Sequence, residues 1–348
     1  MKRMVERYEL APGYTMSRLL KGGWHLAGGH GEVDRQQAID DMAAFVEAGI
    51  TSFDCADHYT GVEELIGDFR AAYPELGRRI EIHTKFVPDY DRLTSCDRAY
   101  VESIIDRSLK RLRVDCLDLV QFHWWNYAVP GYVEAMQVLD ALRRAGKIRL
   151  LGLTNFNTAT TREIVAAGVP VAATQVQYSV LDARPERGLV EYCQQHKIGL
   201  LCYGTLAGGF LSESWLGAPE PQEPLANRSL TKYKLIIEDF GGWALFQELL
   251  GVLHRIGQAQ GCNIGQVATR TVLDRPGVAG AIVGATSTKH LAGNLKIDRL
   301  RLTPAQQAEL AAVLAKRQGP PGDCYDIERD KTGRHGRIMR YNLNDGRH

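Results

Sequence analysis

The sequence predicts an α/β protein that folds as one domain over residues 1–348, a (β/α)8 or TIM barrel. Three observations predict this fold. Eight short apolar runs are typical of buried parallel strands, segments with helical spacing lie between them, and no G-x-G-x-x-G follows the first run. An open α/β sheet is the alternative, because it uses the same alternation of strands and helices.

The strand-like runs are largely apolar, as expected for strands that are covered on both faces. In order they are SRLLKGG, TSFDCAD, IEIHTKF, CLDLVQFHW, IRLLGLTNF, VAATQVQY, GLLCYGTL and GVAGAIVGA. The segments between them place apolar residues three and four positions apart, which predicts helices packed on the strands. The clearest such stripes are Ile39, Met42, Phe45 and Val46; Val62, Leu65, Ile66 and Phe69; Val101, Ile105, Leu109 and Leu112; and Met136, Leu139 and Leu142.

Two stretches interrupt this alternation. Residues 208–241 follow the seventh run and are too long for a plain connection, which predicts a lid-like loop. Residues 318–348 follow the last helical pattern, LTPAQQAELAAVLAKR, and predict a C-terminal tail over the barrel mouth, with a disordered end as the alternative.

The composition argues against several classes of protein. With 45% hydrophobic residues, 24% charged residues and a net charge of +1, nothing indicates a nucleic-acid or membrane partner. No window holds the roughly 18 apolar residues that span a bilayer, and the charged N-terminus lacks the apolar core of a secretory signal. Seven scattered cysteines form no C-x-x-C pair, which argues against a disulfide framework or a zinc site. We therefore expect a cytoplasmic protein.

Four titratable side chains lie at or just beyond the ends of three consecutive runs. Asp54 and Tyr59 belong to the second run and the loop after it, Lys85 ends the third, and His123 ends the fourth. In a barrel these strand ends are neighbours on the face that carries active sites. Each residue alone has a plainer reading as a cap, a packed ring, a solvated charge or a core histidine. Together they predict one site, because a buried Asp and a buried Lys supply each other with a partner.

This set of groups predicts acid–base chemistry. An ammonium about 4 Å from a phenol favours the phenolate by roughly 4 kcal/mol at an effective dielectric of about 20, a ceiling of about three pKa units. We therefore expect Lys85 to bring Tyr59 into the range of a general acid or base, and Asp54 to hold Lys85 charged. His123 is expected to orient a carbonyl oxygen. Because the set lacks a nucleophile, a hydride from a nicotinamide cofactor fits the scheme.

These residues resemble a known family. The D-x-x-x-x-Y of FDCADHY, the Lys of HTKF, the His of QFHW, the TNF of LGLTNF, the Gln of ATQVQYS and the segment GATSTKHLAGN are together similar to the aldo-keto reductase superfamily. The resemblance extends from about residue 17 to about residue 315. It implies a (β/α)8 barrel whose catalytic tetrad is Asp54, Tyr59, Lys85 and His123, with Tyr59 as the proton donor.

The resemblance also implies a nicotinamide-nucleotide site. Thr154, Asn155 and Gln175 would hydrogen-bond the carboxamide, and Tyr203 would stack on the nicotinamide ring. For Thr154 and Asn155 the sequence leaves open a plainer role as caps of the helix TATTREIVAAG.

The rest of the cofactor would follow the last two strands. The turn of Gly204, Thr205 and Leu206 would approach the pyrophosphate. The adenosine end would lie along residues 284–294, where the resemblance implies roles for Gly284, Thr286, Ser287, Thr288, His290 and Asn294. Many NADP-preferring relatives carry Arg or Lys where this chain has Thr286 or His290. NADP(H) is the preferred expectation, and NAD(H) stays open.

Four further residues are expected to wall a substrate pocket. Trp24 and His25 follow the first run, and Trp124 and Trp125 follow His123. Any one of these tryptophans has the alternative of packing in the barrel rim. The expected partner is a small carbonyl compound or alcohol, and polyols, sugars and aromatic carbonyl compounds all fit.

Three other functions are compatible with the same fold. A nucleotide-binding regulatory subunit with little turnover is the main alternative. A metal-dependent hydrolase is disfavoured because the first run lacks H-x-H, and a Schiff-base aldolase is disfavoured because Asp54 would keep Lys85 protonated. The sequence does not indicate the physiological substrate, the direction of the reaction or the oligomeric state.

Overall fold

The computed structural model describes residues 5–27, 33–284 and 287–342. Eight parallel strands close into a barrel in the order β10, β3, β4, β5, β6, β7, β8, β9, with helices packed around it. This confirms the (β/α)8 fold, and each predicted run contributes one barrel strand. The strands are β1 Arg7–Ala11, β2 Tyr14–Ser17, β3 Leu19–Gly22, β4 Ser52–Asp54, β5 Glu81–Phe86, β6 Leu117–Phe122, β7 Ile148–Thr154, β8 Val171–Gln177, β9 Gly199–Tyr203 and β10 Val278–Val283.

The helices surround the barrel, and each predicted apolar stripe lies on one of them. Several begin at an Asp, Asn or Thr whose side chain accepts a backbone N–H, which favours a helix start at that residue. The helices are α1 Arg35–Glu47, α2 Val62–Ala72, α3 Pro74–Gly77, α4 Arg98–Leu112, α5 Tyr132–Arg144, α6 Thr158–Ala166, α7 Leu189–His196, α8 Arg228–Phe240, α9 Gly242–Gln260, α10 Ile264–Leu273, α11 Leu291–Arg299, α12 Pro304–Leu314 and α13 Asp326–Arg329. Within the described ranges, no helix has the length and apolar character needed to cross a bilayer.

An N-terminal hairpin, not predicted from the sequence, closes one end of the barrel. Strands β1 and β2 pair antiparallel, and Leu10, Tyr14 and Met16 are buried in a cluster with residues of the barrel strands. The Tyr14 hydroxyl is hydrogen-bonded to Nε2 of the buried His83 at 3.1 Å. The hairpin therefore fills the end of the barrel opposite the predicted site.

Residues 208–241, predicted as a lid-like loop, instead include the helix α8 and two short 3-10 turns. Tyr233, Ile236, Ile237 and Phe240 repeat at helical spacing on α8, and all four are buried. Because this stripe is covered, the segment is part of the packed molecule.

The C-terminal tail crosses the face of the barrel at which the strands end, as predicted. Arg329 donates to the backbone oxygen of Trp124, which follows β6, and Asp326 accepts from Asn157, which follows β7. Further along, the backbone oxygen of Tyr341 accepts from the N–H of Tyr90, after β5. The tail is thus held at three neighbouring strand ends.

A buried ion pair anchors this tail to the loop after β8. Arg184 donates to both carboxylate oxygens of Glu328, at 2.8 and 2.9 Å, and also pairs with Asp182. The side chains of Arg184 and Glu328 are each 1% exposed. Burial raises the pKa of Glu328, but the charge and hydrogen bonds of Arg184 outweigh that effect, so the pKa lies below its usual value. Glu328 is therefore a carboxylate at neutral pH.

We expect Glu328→Ala to destabilise the protein by about 3 kcal/mol or more, because it leaves part of a buried guanidinium without a partner. Urea denaturation measures this loss. The matched control is Glu309→Ala, which removes an exposed pair with Arg255 and should cost less than about 1 kcal/mol. Equal losses in the two variants would contradict the anchoring role of the buried pair.

Candidate active site

A buried ion pair lies where β4 and β5 end. The Lys85 ammonium donates to Asp54 Oδ1 at 2.8 Å and to the backbone oxygen of Cys55 at 2.8 Å. Both side chains are at most 5% exposed. Burial lowers the pKa of Lys85, but the charge and hydrogen bond of Asp54 raise it by more, so the pKa lies above its usual value. Lys85 is therefore charged at neutral pH.

Tyr59 lies directly beside this pair, in the loop between β4 and α2. The Lys85 nitrogen is 5.0 Å from the centre of the Tyr59 ring, so the predicted neighbours do lie together. The half-buried ring also meets the edges of Trp24 and His58, at centroid distances of 5.1 and 4.9 Å. Tyr59 is thus held between the ion pair and the accessible part of the site.

The expected fall in the pKa of Tyr59 is wrong in its net direction. Burial raises this pKa to about 12, and the opposing effect of the Lys85 charge is smaller. Asp54 also raises the pKa of the phenol, so the carboxylate that holds Lys85 offsets part of its influence. The ceiling of about three pKa units applies before hydration is lost, and the loss of hydration is the larger effect here. Tyr59 is a neutral phenol at neutral pH.

His123 follows β6 and is held in one tautomer. Its Nδ1 is 3.0 Å from the backbone oxygen of Thr154, and a carbonyl can only accept, so Nδ1 carries the hydrogen. Nε2 is buried and has no hydrogen-bond partner in the described residues. Burial, followed by the charge of Arg329, holds the pKa of His123 well below its usual value. The neutral ring therefore offers Nε2 as an acceptor.

Two buried glutamines extend the polar network under the site. Gln175 Nε2 donates to Asp54 Oδ1 at 2.6 Å and to Gln121 Oε1 at 3.1 Å. Gln175 was singled out from the sequence because it lies in an apolar strand. Gln121 was missed, although its place in the apolar run CLDLVQFHW carries the same signal.

The residues expected to hold a nicotinamide lie together at the ends of β7, β8 and β9. The Tyr203 hydroxyl donates to Asn155 Oδ1 at 2.8 Å, and the Tyr203 ring is half-buried. Asn155 has a left-handed backbone, with φ of 61°, a conformation often found at functional sites. The cap of α6 is Asn157, so Thr154 and Asn155 do not have the capping role that the sequence left open.

The expected pyrophosphate turn and adenosine cradle follow β9 and β10. Gly204 adopts a positive φ of 76° and packs so closely on Tyr233 that a Cβ would strike its hydroxyl, while Thr205 is buried and Leu206 half-buried. Beyond Gly284, residues Ser287, Thr288 and His290 lead into α11, and Asn294 donates back to the Gly284 oxygen at 3.2 Å. Thr286 lies outside the described residues.

The predicted pocket residues differ in their environment. Trp24 is 43% exposed beside Tyr59, and His25 is exposed next to it. Trp125 meets His123 edge-on, with ring centres 4.4 Å apart. Trp124 is fully buried against Phe122 and Tyr132, with its N–H bonded to a backbone oxygen. Its placement as a pocket wall is corrected to rim packing, the alternative that the sequence left open.

Two side chains that the sequence did not indicate also border the site. Tyr325, from the tail, is buried with its ring 5.6 Å from that of His123. His58 meets the Tyr59 ring and is hydrogen-bonded to Asp57. Tyr325 was unpredictable because it comes from a distant part of the chain, whereas the proximity of His58 to Tyr59 was visible in the sequence.

In residues 5–27, 33–284 and 287–342, no group of three or more His, Cys, Asp or Glu side chains is arranged to hold a metal ion.

Comparisons with known proteins agree on one family. The model of the aldo/keto reductase family matches residues 18–315. An aldo-keto reductase of Schizosaccharomyces pombe, named yakc [NADP(+)], is 31% identical over 321 residues, covering 86% of this chain and 90% of its own. The Bacillus subtilis aldo-keto reductase YhdN is 27% identical over 314 residues, covering 87% and 91%. The crystal structure of the thermostable aldo-keto reductase Tm1743 superposes with a TM-score of 0.71, at 25% identity, over 89% of this chain and all of that one.

We expect the imidazole of His123 to stay neutral, with the hydrogen on Nδ1, from about pH 8 to about pH 5, where an ordinary histidine with a pKa near 6.5 becomes charged. Nitrogen-15 NMR of the histidine side chains, assigned with His123→Gln, follows both the charge and the tautomer. A titration midpoint between about pH 6 and pH 7, or a hydrogen on Nε2, would contradict this assignment.

Proposed function

This chain belongs to the aldo/keto reductase family of oxidoreductases, and we propose that it interconverts a small carbonyl compound and its alcohol with a nicotinamide dinucleotide. The observation that carries this proposal is the buried pair of Asp54 and Lys85 beside the Tyr59 ring. This arrangement brings a proton donor, Tyr59, and a fixed positive charge, on Lys85, to one point at the barrel mouth.

Tyr59 is the proposed general acid. The bound dinucleotide would supply a hydride to the carbonyl carbon, and Tyr59 would give its proton to the carbonyl oxygen. The phenolate that remains is stabilised by the ammonium of Lys85, which Asp54 keeps charged and in place. A phenol with a pKa of about 12 holds its proton throughout the neutral range, as a proton donor for reduction must.

The proposed role of His123 differs from the one expected from the sequence. Holding a carbonyl oxygen requires a hydrogen-bond donor, whereas neutral His123 uses its hydrogen on Thr154 and presents a lone pair at Nε2. We propose that Nε2 accepts the hydroxyl of the alcohol. In the reduction direction that contact forms as the carbonyl oxygen gains its proton.

Four of the residues proposed to bind the nucleotide support a site for the nicotinamide and its pyrophosphate. The half-buried ring of Tyr203 offers a flat surface next to the amide of Asn155, and the backbone N–H of Asn155 donates to the backbone oxygen of Gln175. Gln175 already donates to Asp54, so its carbonyl oxygen is the atom proposed to pair with the carboxamide. The positive φ of Gly204 turns the backbone at the proposed pyrophosphate site. NADP(H) is the proposed cofactor, supported by the yeast relative, and NAD(H) is the alternative.

The remaining expectations belong to the same proposal. They are a cytoplasmic location, a small carbonyl compound or alcohol as substrate with no nucleic-acid or membrane partner, and a single domain over residues 1–348. Thr154, Ser287, Thr288, His290 and Asn294 keep their proposed contacts to the nucleotide.

We expect Tyr59→Phe to lower kcat/KM for carbonyl reduction by about 10²- to 10⁴-fold, because the variant keeps the ring but has no proton to give. Steady-state oxidation of NADPH in the presence of a reactive aldehyde measures the effect. Tyr73→Phe is the matched control and should leave kcat/KM unchanged, because the Tyr73 hydroxyl bonds Asp40 in the outer layer of helices.

Fluorescence titration with NADPH and NADH should show that Tyr59→Phe still binds nucleotide as the unchanged protein does, and it also compares the two cofactors directly. Undiminished turnover in Tyr59→Phe would reject the proton-donor role. Tight nucleotide binding with negligible turnover of the unchanged protein across a broad set of carbonyl compounds would favour the regulatory subunit instead.

A further inference from the structure

The barrel mouth holds a second histidine close to the reacting groups. His58 directly precedes Tyr59, and the two rings meet edge to face with centres 4.9 Å apart. A positive charge on His58 would lower the pKa of His123, so the two histidines are also electrostatic neighbours. The His58 side chain is 11% exposed, in contrast to the fully buried carboxylate that it contacts. The His58 side chain is therefore partly accessible.

The orientation of His58 is set by Asp57. The Asp57 carboxylate accepts from the backbone N–H of Val87 at 3.2 Å and contacts Nδ1 of His58 at 3.1 Å. A carboxylate without a proton can only accept, so Nδ1 of His58 carries the hydrogen. No hydrogen bond joins Nε2 of His58 to any residue that the structure describes, and Nε2 is the ring nitrogen that remains for a ligand.

The chemistry of this nitrogen selects one kind of ligand group. Nε2 is an acceptor when the ring is neutral and a donor when it is charged. A hydroxyl group both donates and accepts, so it pairs with Nε2 whether the His58 ring is neutral or charged. An alkyl group forms no hydrogen bond with Nε2 in either state of the ring. His123 presents a second Nε2 acceptor to the same site. A vicinal diol carries two hydroxyls, one that can donate to each of these nitrogens.

We propose that His58, oriented by Asp57, is a specificity-determining residue that binds a hydroxyl on the carbon next to the reacting carbonyl. This inference rests on the proposed function. The preferred substrates are then hydroxylated aldehydes or ketones in one direction and vicinal polyols in the other, ahead of simple alkyl and aromatic carbonyl compounds.

The test compares two three-carbon aldehydes, glyceraldehyde and propanal, which differ in their hydroxyl groups. The measured quantity is the ratio of kcat/KM for glyceraldehyde to kcat/KM for propanal, at saturating NADPH. We expect the unchanged protein to favour glyceraldehyde. In His58→Phe, which keeps a ring against Tyr59 but has no nitrogen, the ratio should fall by about tenfold or more. The fall should lie mainly in KM for glyceraldehyde, because the contact is made before and during the reaction.

Two further variants separate recognition from packing. His58→Gln keeps a polar group and should restore part of the ratio. His196→Leu removes an imidazole that bonds the Tyr192 backbone at the end of α7, and it should leave the ratio unchanged. If the phenyl ring prevents folding, as judged by the melting temperature, His58→Leu repeats the comparison with a smaller apolar side chain.

The outcomes distinguish this inference from the function on which it rests. If the unchanged protein reduces neither aldehyde nor any other carbonyl compound of the broad set with NADPH or NADH, the proposed function fails and the inference fails with it. If it reduces other carbonyl compounds but neither of these two aldehydes, the function stands and the role of His58 is refuted. If it reduces both, and the ratio is the same in the apolar His58 variants, the function stands and the role of His58 is refuted. A preference for propanal in the unchanged protein would also refute it.

Discussion

The structure of the site depends on the buried pair of Asp54 and Lys85. Removing two charges from water costs several kcal/mol per ion, and their attraction offsets that cost only when the remaining donors and acceptors are also satisfied. Here the ammonium also bonds the Cys55 oxygen, and the carboxylate also accepts from Gln175. These partners come from β4, β5 and β8, so the barrel must close for the pair to form.

Burial then sets the protonation state of each titratable group in the site, and the result depends on whether an opposite charge lies beside that group. Lys85 lies against a carboxylate and remains charged, whereas Tyr59 and His123 lose hydration without an equal gain and remain neutral. The outcome is a protonated phenol, an ammonium and a neutral imidazole within one site. That combination suits a site that gives a proton to a carbonyl oxygen and receives a hydroxyl, since each group is already in the required state at neutral pH.

The sequence was sufficient for the barrel and for the meeting of Asp54, Tyr59 and Lys85, because apolar runs mark buried parallel strands and the ends of parallel strands are neighbours. It was insufficient where lost hydration and the attraction of a nearby charge have opposing effects on a pKa, and where distant segments of the chain meet. The pKa of Tyr59 depends on lost hydration, which only the packed structure reveals. The tautomer of His123 depends on the position of one backbone oxygen, and the approach of Tyr325 depends on the anchored tail. The helix α8 was missed for a different reason. The length of residues 208–241 predicted a loop, although Tyr233, Ile236 and Phe240 already stand at helical spacing in the sequence.

The central claim is that the ammonium of Lys85 makes the proton of Tyr59 easier to lose than burial alone would allow. Carbon-13 NMR of labelled tyrosines, with Tyr59 assigned from Tyr59→Phe, tests it directly. A phenol with a pKa of about 12 is about one-tenth ionised near pH 11, so the Tyr59 resonance should begin to shift between about pH 9 and pH 11. In Lys85→Met we expect no shift over that range. A shift in Lys85→Met as large as that in the unchanged protein would contradict it.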